Sequence, residues 1–377
     1  MRIKMILYMT MLFTIIGCQQ HDDVTTESNP TQIDAEIVRQ EEPEPVEEEP
    51  VETTITIGAV GDVLLHERVY VPAETEDGYD FMPMLQEVES LLAAPDFLMA
   101  NQESMPGGVE IGLSTYPAFN SPQEIVSDLQ TLGVDMVIGA NNHTLDRGVQ
   151  AVENALDFYD EIGMDYVGVY RDTADRETDR IVSVDDITLG VLAYTYGTNG
   201  IPIPEGHEDI VALIDPDRMQ QDVERLREQV DVVIVHMHWG DEYAREPNAQ
   251  QRELAQLLSE AGTDIIFGHH PHVLQPIDHL QQENGQETFV FYSLGNFFSG
   301  QNFEYTDIGG VGTIEITKTT KGDEQIIDIQ TPHIEPTLVV LEDDVYRMMP
   351  MADSDGSLIN GSTTEHMLEH VQMYVNE

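Results

Sequence analysis

Residues 264–272 read DIIFGHHPH, and this stretch decides how the chain is interpreted. An apolar run with the length of a buried strand leads into a loop where a glycine and a proline accompany three imidazoles. One histidine in an apolar core is ordinary, but three in four residues are not, so the stretch predicts metal or phosphate chemistry. His269 and His272 are the predicted metal ligands, and His270 is predicted to face a substrate.

Five other apolar runs end in the same way, in a cluster of Asp, Glu, Asn or His side chains. They are ITIGAVGD (55–62), DFLMANQE (96–103), DMVIGANNH (135–143), VVIVHMHWG (232–240) and FVFYSLGNF (289–297). In an open α/β sheet, ligands bind beyond the carboxyl ends of the strands, so these clusters are expected to meet at one sheet edge. Carboxylates and imidazoles that converge there are typical of a metal site.

The segments between these runs predict an α/β fold. Strand-like and helix-like segments alternate after Thr53, which is the pattern of crossover units around a mainly parallel sheet. The predicted helices are Phe81–Ala93, Pro122–Leu132, Gly148–Ile162, Pro216–Gln229, Asn248–Ala261 and a terminal helix, Thr363–Val375. Beyond Ser299, segments 311–318 and 325–336 predict antiparallel strands joined by a turn at Lys321–Asp323.

The first two strand ends offer oxygen donors. A carboxylate at a strand end is costly unless it is exposed, hydrogen-bonded or bound to a cation, so Asp62 is a predicted metal ligand, with a loop cap as the alternative. Glu103 is a second predicted ligand and Asn101 a neutral donor beside it, although this cluster alone also suits a turn. His66 is a predicted substrate contact.

Asn141–Asp146 crowds two amides, an imidazole and a carboxylate into six residues. Helix capping explains one of these groups but not the set. His143 is the predicted general acid or substrate-orienting donor, and Asp146 is predicted to fix its tautomer.

The run at 232–240 places two imidazoles on one face of a strand. His236 and His238 are two residues apart, and strand side chains alternate between faces, so the two could share a cation. Trp239 is a predicted substrate contact. Asn296, in the last run, is predicted to lie beside the site, and a plain strand-to-loop turn explains it equally well.

The chain is strongly acidic, with 71 Asp and Glu against 16 Lys and Arg in 377 residues and a formal net charge of −55. This argues against nucleic acid and anionic headgroups as direct partners. An acidic polymer would need bridging cations or a basic patch. Arg147, Arg171, Arg176 and Arg180 could form such a patch, with solvated loop charges as the alternative. The length suits one catalytic domain with tails.

The N-terminus has the three-part layout of a secretory signal. Arg2 and Lys4 precede an apolar stretch, Met5–Ile16, that is too short to span a bilayer comfortably. Its end resembles a bacterial lipoprotein signal, so residues 1–18 are predicted to be a signal peptide that ends at a lipidated Cys18. An incidental or buried cysteine is the alternative. Lipidation would anchor the protein to the extracellular face of the cell membrane.

Residues 19–53 are predicted to be a disordered acidic linker. The segment contains EEPEPVEEEPVE and almost no apolar periodicity, so it cannot bury enough surface to offset its ordering entropy. A calcium-binding acidic tract is the alternative, and the spacing lacks an EF-hand pattern.

Together the motifs resemble the CapA family, whose prototype belongs to poly-γ-glutamate capsule synthesis. The resemblance covers roughly residues 55–336 and rests on GAVGDVLLH, MANQES, GANNHTLDRG, VHMHWGDEY, GHHPHVLQP and YSLGNFF, in the family's order. It implies a layered αββα sandwich with mixed sheets, of the metallophosphoesterase (calcineurin-like) type, over residues 54–340. Residues 341–377 would form a C-terminal extension.

The resemblance also implies roles for individual residues. A divalent ion (Mn, Fe, Zn or Mg) would be held by Asp62, Glu103, Asn142, His238, His269 and His272. His143 would protonate the leaving oxygen with the help of Asp146. Substrate contacts would come from His66, Asn101, Trp239, His270 and Asn296. Gln102 stands where the family usually has leucine, and His270 where it often has a small residue, yet no predicted donor is lost. His66 follows Asp62 by four residues rather than two, which argues against a dinuclear centre.

Two classes of function follow. The first is a lipid-anchored factor in biosynthesis or export of a poly-γ-glutamate capsule, with a divalent-metal site. Its partners would be the capsule synthase complex and polyglutamate or another envelope polymer, and it would either act on that polymer as a hydrolase or transferase or bind it without catalysis. The second is a metal-dependent hydrolase of a phosphoester or envelope-polymer bond, unrelated to capsule.

Overall fold

The computed structural model describes residues 49–282, 285–354, 362–372 and 374. Within these residues two β-sheets pack against each other, and helices cover their outer faces. The predicted α/β fold with a layered αββα sandwich is therefore confirmed. The predicted signal peptide with Cys18, and most of the predicted linker, lie outside the described residues.

The described strands, in chain order, are numbered β1 to β17. They are β1 (Val51–Leu64), β2 (Glu74–Thr75), β3 (Gly78–Tyr79), β4 (Phe97–Gln102), β5 (Met136–Ile138), β6 (Asp165–Val167), β7 (Ile181–Val184), β8 (Ile187–Thr195), β9 (Val232–His238), β10 (Ile265–His269), β11 (Leu274–Gln281), β12 (Glu287–Leu294), β13 (Asn296–Ser299), β14 (Ile308–Lys321), β15 (Glu324–Ile329), β16 (His333–Glu342) and β17 (Val345–Pro350).

The described helices are numbered in the same way. They are α1 (Glu67–Tyr70), α2 (Met82–Leu85), α3 (Glu89–Leu92), α4 (Glu124–Thr131), α5 (Gly148–Ile162), α6 (Thr173–Arg176), α7 (Pro216–Arg227), α8 (Ala249–Ala261) and α9 (Thr364–Val371). None of these helices is long and apolar enough to cross a membrane.

Both large sheets are mixed. The first has the order β17-β16-β14-β1-β4-β5-β6, with β13 paired to β1 and β15 to β14; the second has the order β11-β12-β10-β9-β8-β7. Each contains a block of parallel strands, β1-β4-β5-β6 in one and β8-β9-β10-β12 in the other. In the second sheet, antiparallel β11 and β7 flank the parallel strands on both sides. In the first sheet the antiparallel strands β14, β16 and β17 lie on one side, and β6 forms the other edge.

Helix boundaries follow local signals in the sequence. Asn248 and Gln251 form a reciprocal capping box at the start of α8, and Gly262 ends this helix with φ of +105°. Asp215 caps α7 by accepting from two backbone N–H groups. The apolar sides of α7 and α8 bury the outer face of the second sheet.

Some elements differ from the sequence prediction. Segment 325–336, predicted as one strand, contains most of β15 and the first residues of β16. The predicted helix Phe81–Ala93 is two short helices, α2 and α3, separated by a 3₁₀ turn at Gln86–Val88. Strand β1 begins at Val51, inside the predicted linker. The predicted C-terminal extension supplies β17 and α9, and it packs onto the domain because its side chains Met348, Met367 and Val371 are buried in the core.

Candidate metal centre

Strand register brings the polar strand ends together. Asp62 on β1 pairs with Asn101 of β4 on one side and with Asn296 of β13 on the other. In the second sheet His238 at the end of β9 pairs with His269 of β10. The two sheets meet here, since Asn101 Nδ2 lies 3.5 Å from His238 Nδ1 and His269 Nδ1 lies 3.8 Å from Asp62 Oδ1. All five side chains are buried.

His272 bridges the oxygen donors of this cluster. Its Nδ1 lies 3.0 Å from Asp62 Oδ2, 3.1 Å from Asn296 Oδ1 and 3.7 Å from Glu103 Oε2. Burial alone would lower the pKa of His272, but the charge of Glu103 and the hydrogen bond to Asp62 raise it to about 9. Burial opposes ionisation of Asp62 too, and the hydrogen bond from His272 nevertheless holds the pKa of this carboxyl below its usual range. The pair is a charge-assisted hydrogen bond.

Glu103 is fully buried, and neither carboxylate oxygen has a hydrogen-bond partner among the described residues. Burial and then the charge of Asp62 raise the pKa of Glu103 to about 8. His238 Nε2 lies 3.5 Å from Oε1. Burying a carboxyl group without partners is costly, and a cation would satisfy both oxygens, so Glu103 has the environment of a metal ligand.

Two further imidazoles face the same space. His238 Nε2 lies 2.8 Å from Asn142 Oδ1, and the His238 ring centroid is 4.9 Å from that of His270. His270 donates its backbone N–H toward Asp62 Oδ2 at 3.4 Å, and its Nδ1 is buried with no partner in the described part of the chain. Burial lowers the pKa of His238 to about 3 and holds the pKa of His270 well below its usual value. Both rings are therefore neutral near pH 7 and offer lone pairs to a cation.

The donor set fits a divalent ion. Three overlapping groups of side chains each hold their donor atoms within 4.8 Å of one another: Asp62–Glu103–His272, Glu103–His238–His270 and Glu242–His270–His272. Mixed carboxylate and imidazole donors suit Mn, Fe or Zn, while oxygen donors suit Mg. Glu103, His269 and His270 each have a buried oxygen or ring nitrogen that forms no hydrogen bond among the described residues. Atoms of this kind are free to coordinate an ion.

A histidine–aspartate pair lies beside this cluster. His143 Nδ1 is 2.7 Å from Asp146 Oδ2, and the same oxygen accepts a hydrogen bond from the backbone N–H of Phe119. The Phe119 ring packs edge-on against His143 with centroids 4.8 Å apart. Since the carboxylate holds the proton on Nδ1, Nε2 of His143 is the atom that can give or take a proton.

Unusual backbone geometry shapes the loop after β10. His270 and His272 have φ of +94° and +61°, in the left-handed region that costs energy for any residue except glycine. Gly61 and Gly268 each directly precede a predicted ligand. A Cβ on Gly61 would come within about 2 Å of the backbone oxygen of Gly295, and a Cβ on Gly268 equally close to that of Tyr292. Only glycine allows the backbone to approach so closely at these two positions.

The predicted substrate contacts occupy different places. Asn101 donates to Asp62 Oδ1 at 2.7 Å and thus braces the cluster. His66 lies against Phe119 with ring centroids 5.1 Å apart, and burial lowers its pKa to about 4. His270 and Asn296 contact the cluster as described above.

Trp239 is not brought to the cluster. Alternation along the chain turns it away from His238, into the apolar layer beneath α7 and α8. Its indole Nε1 donates to the backbone oxygen of Tyr292 at 3.0 Å, and the side chain is fully buried. In this position Trp239 supports the strand end rather than facing a ligand.

Three residues of the centre were not predicted from the sequence. Glu242 joins His270 and His272 in one of the donor groups. Asn199 Nδ2 lies 3.3 Å from His143 Nδ1, and the Tyr196 ring centroid is 4.7 Å from that of His270. Tyr196 and Asn199 follow the end of β8, so the rule that polar residues after an apolar run belong to the site would have found both.

The four arginines considered as a basic patch are engaged elsewhere. Arg171, Arg176 and Arg180 each form an ion pair with an aspartate. Arg147 donates to the backbone oxygens of Ile111 and Gly112. These side chains are therefore committed to internal contacts.

The fold and this cluster define a layered αββα protein with a carboxylate–imidazole cluster where the two sheets meet. The chain belongs to a family of bacterial capsule synthesis proteins, since residues 56–301 match the family described as Bacterial capsule synthesis protein PGA_cap. The resemblance to the CapA family is thereby confirmed.

Two relatives show how far the similarity extends. The chain is 31% identical over 290 residues to the PGA biosynthesis protein CapA of Bacillus subtilis (strain 168), covering 74% of this chain and 72% of that protein. It is 27% identical over 316 residues to the Capsule biosynthesis protein CapA of Bacillus anthracis, covering 81% of this chain and 75% of that protein.

Solved structures are more distant. The NAD nucleotidase of Haemophilus influenzae matches with a TM-score of 0.46 at 13% identity, over 85% of this chain and 62% of that one. A structure titled a putative 5'-nucleotidase of Staphylococcus aureus matches with a TM-score of 0.45 at 14% identity, over 84% of this chain and 57% of that one. Neither similarity carries an inference about what this chain does.

Proposed function

We propose that this chain is a lipid-anchored, extracytoplasmic factor in the biosynthesis or export of a poly-γ-glutamate capsule, and that it works through a divalent metal centre. The family and the names of its two CapA relatives support the capsule role. The observation that carries the metal centre is Glu103, whose buried carboxylate oxygens have no hydrogen-bond partner in the described residues. The ligands are Asp62, Glu103, Asn142, His238, His269 and His272, with His270 and Glu242 as further donors.

The residues around the centre favour chemistry over passive binding. A divalent ion held there would supply a Lewis acid for a phosphoryl or carbonyl oxygen. His143 carries a proton on Nε2 to the leaving oxygen, because Asp146 occupies Nδ1 at 2.7 Å. The Phe119 ring packs against one side of the His143 imidazole and limits rotation of this ring, so the position of Nε2 is fixed. The reaction is a hydrolysis or transfer at a phosphoester or an amide linkage of an envelope polymer, with polyglutamate as the first candidate.

Metal analysis of the purified chain tests the centre. We expect a stoichiometric divalent ion after growth in metal-replete medium, and its release when His269 and His272 are both replaced by alanine. The matched control replaces two histidines outside the centre, His279 and His333, and should keep the ion. A wild-type protein without any bound ion under these conditions would remove the basis of the proposal.

Capsule measurements separate catalysis from binding. A His143→Ala variant lacks the proton carrier but keeps all the proposed ligands, so we expect it to retain its metal and to fail to restore capsule in a strain that lacks the gene. Full restoration by this variant would instead support a noncatalytic role in binding the polymer or the synthase complex. A hydrolase unrelated to capsule is indicated if deletion of the gene leaves the amount and chain length of capsule material unchanged.

Membrane fractionation tests the anchor. Cys18 lies outside the described residues, and its role rests on the signal-like sequence before it. A Cys18→Ala variant is expected to move from the membrane to the soluble fraction. The same partition for variant and wild type would refute lipid anchoring.

A further inference from the structure

His236 is a fully buried histidine that the proposed mechanism does not use. It lies one strand repeat before His238 on β9 and points into the layer between the sheets, where its ring stacks on Phe267 with centroids 5.3 Å apart. Its Nδ1 is 3.0 Å from His269 Nε2, and its Nε2 is 3.1 Å from the sulfur of Met99, on β4 of the other sheet. The two imidazole planes are nearly parallel, at 7°.

These contacts determine where the protons lie. A thioether sulfur accepts a hydrogen bond and cannot donate one, so His236 Nε2 carries the proton that faces Met99. In a neutral imidazole the other nitrogen is then an acceptor, so His236 Nδ1 receives a hydrogen bond from His269 Nε2. His269 in turn has its lone pair on Nδ1, the atom directed at Asp62 from 3.8 Å.

A further observation agrees with this order of protons. His269 Nδ1 is buried and has no hydrogen-bond partner among the described residues, which suits a lone pair reserved for an ion. In the opposite order, a lone pair on His236 Nε2 would face the lone pairs of the Met99 sulfur.

We propose that His236 is a positioning residue, which together with Met99 fixes the tautomer and ring orientation of His269 so that Nδ1 is presented to a divalent ion. This inference rests on the proposed metal centre and extends it across the sandwich, because the acceptor that terminates the chain of hydrogen bonds belongs to the opposite sheet. A partner of this kind commonly changes the affinity of a metal site about 10- to 100-fold.

Two substitutions at one position separate positioning from packing. His236→Leu keeps an apolar side chain of similar size and removes the acceptor, whereas His236→Asn keeps an oxygen near the place of Nδ1. We expect His236→Leu to weaken binding of Mn²⁺ or Zn²⁺ about 10- to 100-fold in calorimetric titrations, and His236→Asn to restore most of the affinity. His333→Leu, the same change on an exposed histidine, should leave the affinity unaltered.

Nitrogen NMR provides a readout that does not depend on the metal. In chelator-treated protein labelled with ¹⁵N-histidine, His269 should show an unprotonated Nδ1 in the wild type and a protonated Nδ1 in His236→Leu, assigned by comparison with His269→Gln. Met99→Leu should shift the tautomer in the same direction, and it serves if His236→Leu does not fold. A wild-type His269 protonated on Nδ1, or a tautomer identical in all variants, overturns the inference. If the tautomer responds as expected but the wild type binds no ion, the positioning holds and the proposed metal centre is wrong.

Discussion

Replacing Glu103 by glutamine should have two opposite effects, and together they test the reading of the centre. Glutamine has nearly the same shape but no charge, so Glu103→Gln removes a carboxylate whose oxygens are buried without partners in the described chain. We expect the variant to bind a divalent ion much more weakly. We also expect it to be more stable than the wild type when a chelator keeps both proteins metal-free.

The size of the stability difference follows from the pKa of Glu103, which is about 8 in the folded protein against an ordinary value of 4.5. Because the folded pKa lies above the unfolded one, the carboxyl group favours the folded state fully below pH 4.5, and this contribution is lost as the pH rises toward 8. Each pH unit between 4.5 and 8 lowers the free energy of unfolding of the wild type by about 1.4 kcal/mol. At pH 7 this loss is roughly 3 kcal/mol, and the Glu103→Gln variant does not have it because glutamine does not ionise.

Urea unfolding with excess chelator at pH 5, 7 and 8.5 measures this difference. The stability advantage of Glu103→Gln should be small at pH 5 and should grow to a few kcal/mol at pH 7, order-of-magnitude figures that follow from the folded pKa. Glu242→Gln is the matched control, since Glu242 is exposed and belongs to the same donor cluster. Its substitution should not stabilise the chelated protein. A Glu103→Gln variant that is no more stable at any pH, or that binds the ion as tightly as wild type, would refute the reasoning.

Two further substitutions probe the frame of the site. Gly268→Ala places a Cβ 2.0 Å from the Tyr292 backbone oxygen and 2.7 Å from Trp239 Nε1. It should therefore destabilise the protein by about 1–3 kcal/mol and shift the fluorescence of Trp239, the single tryptophan of the chain. Gly197→Ala is the control, and it should do neither because there is open space around Gly197. Burial raises the pKa of Asp307 from 3.8 to about 6, so its carboxyl favours the folded state below pH 4 and loses that contribution as the pH rises through 6. The stability of Asp307→Asn relative to wild type should therefore increase between pH 4 and 7 in thermal melts, and a constant difference would contradict the assignment.

The sequence predicted the convergence of the strand ends because two simple rules operate there. Parallel strands end at the same edge of a sheet, and buried strands are recognisable as short apolar runs. Asp62, Glu103, His238 and His269 could therefore be expected to meet before their distances were known. The order of the strands and the packing of the two sheets were not readable from these runs, since they depend on pairings distant in sequence.

Other features needed knowledge of which face each side chain occupies. Alternation places His238 toward the other sheet and Trp239 toward the helices, so applying the rule one residue further would have separated them. The sequence of 232–240 also did not show which of its two histidines is a ligand and which a positioning residue. His236 and His238 lie on the same face of β9 and differ only in how far they are from the end of the strand. The contact that marks His236 as a positioning residue comes from Met99 on the opposite sheet, which is distant in sequence.

The backbone at His270 and His272 sets a limit on how this protein can be improved for heat tolerance. Glycine at either position would relieve an energetically costly conformation, and it would also delete an imidazole from the cluster. Laboratory evolution that rewards survival at high temperature alone should therefore erode the centre, and these two histidines are among the first places to look for replacements in the surviving clones.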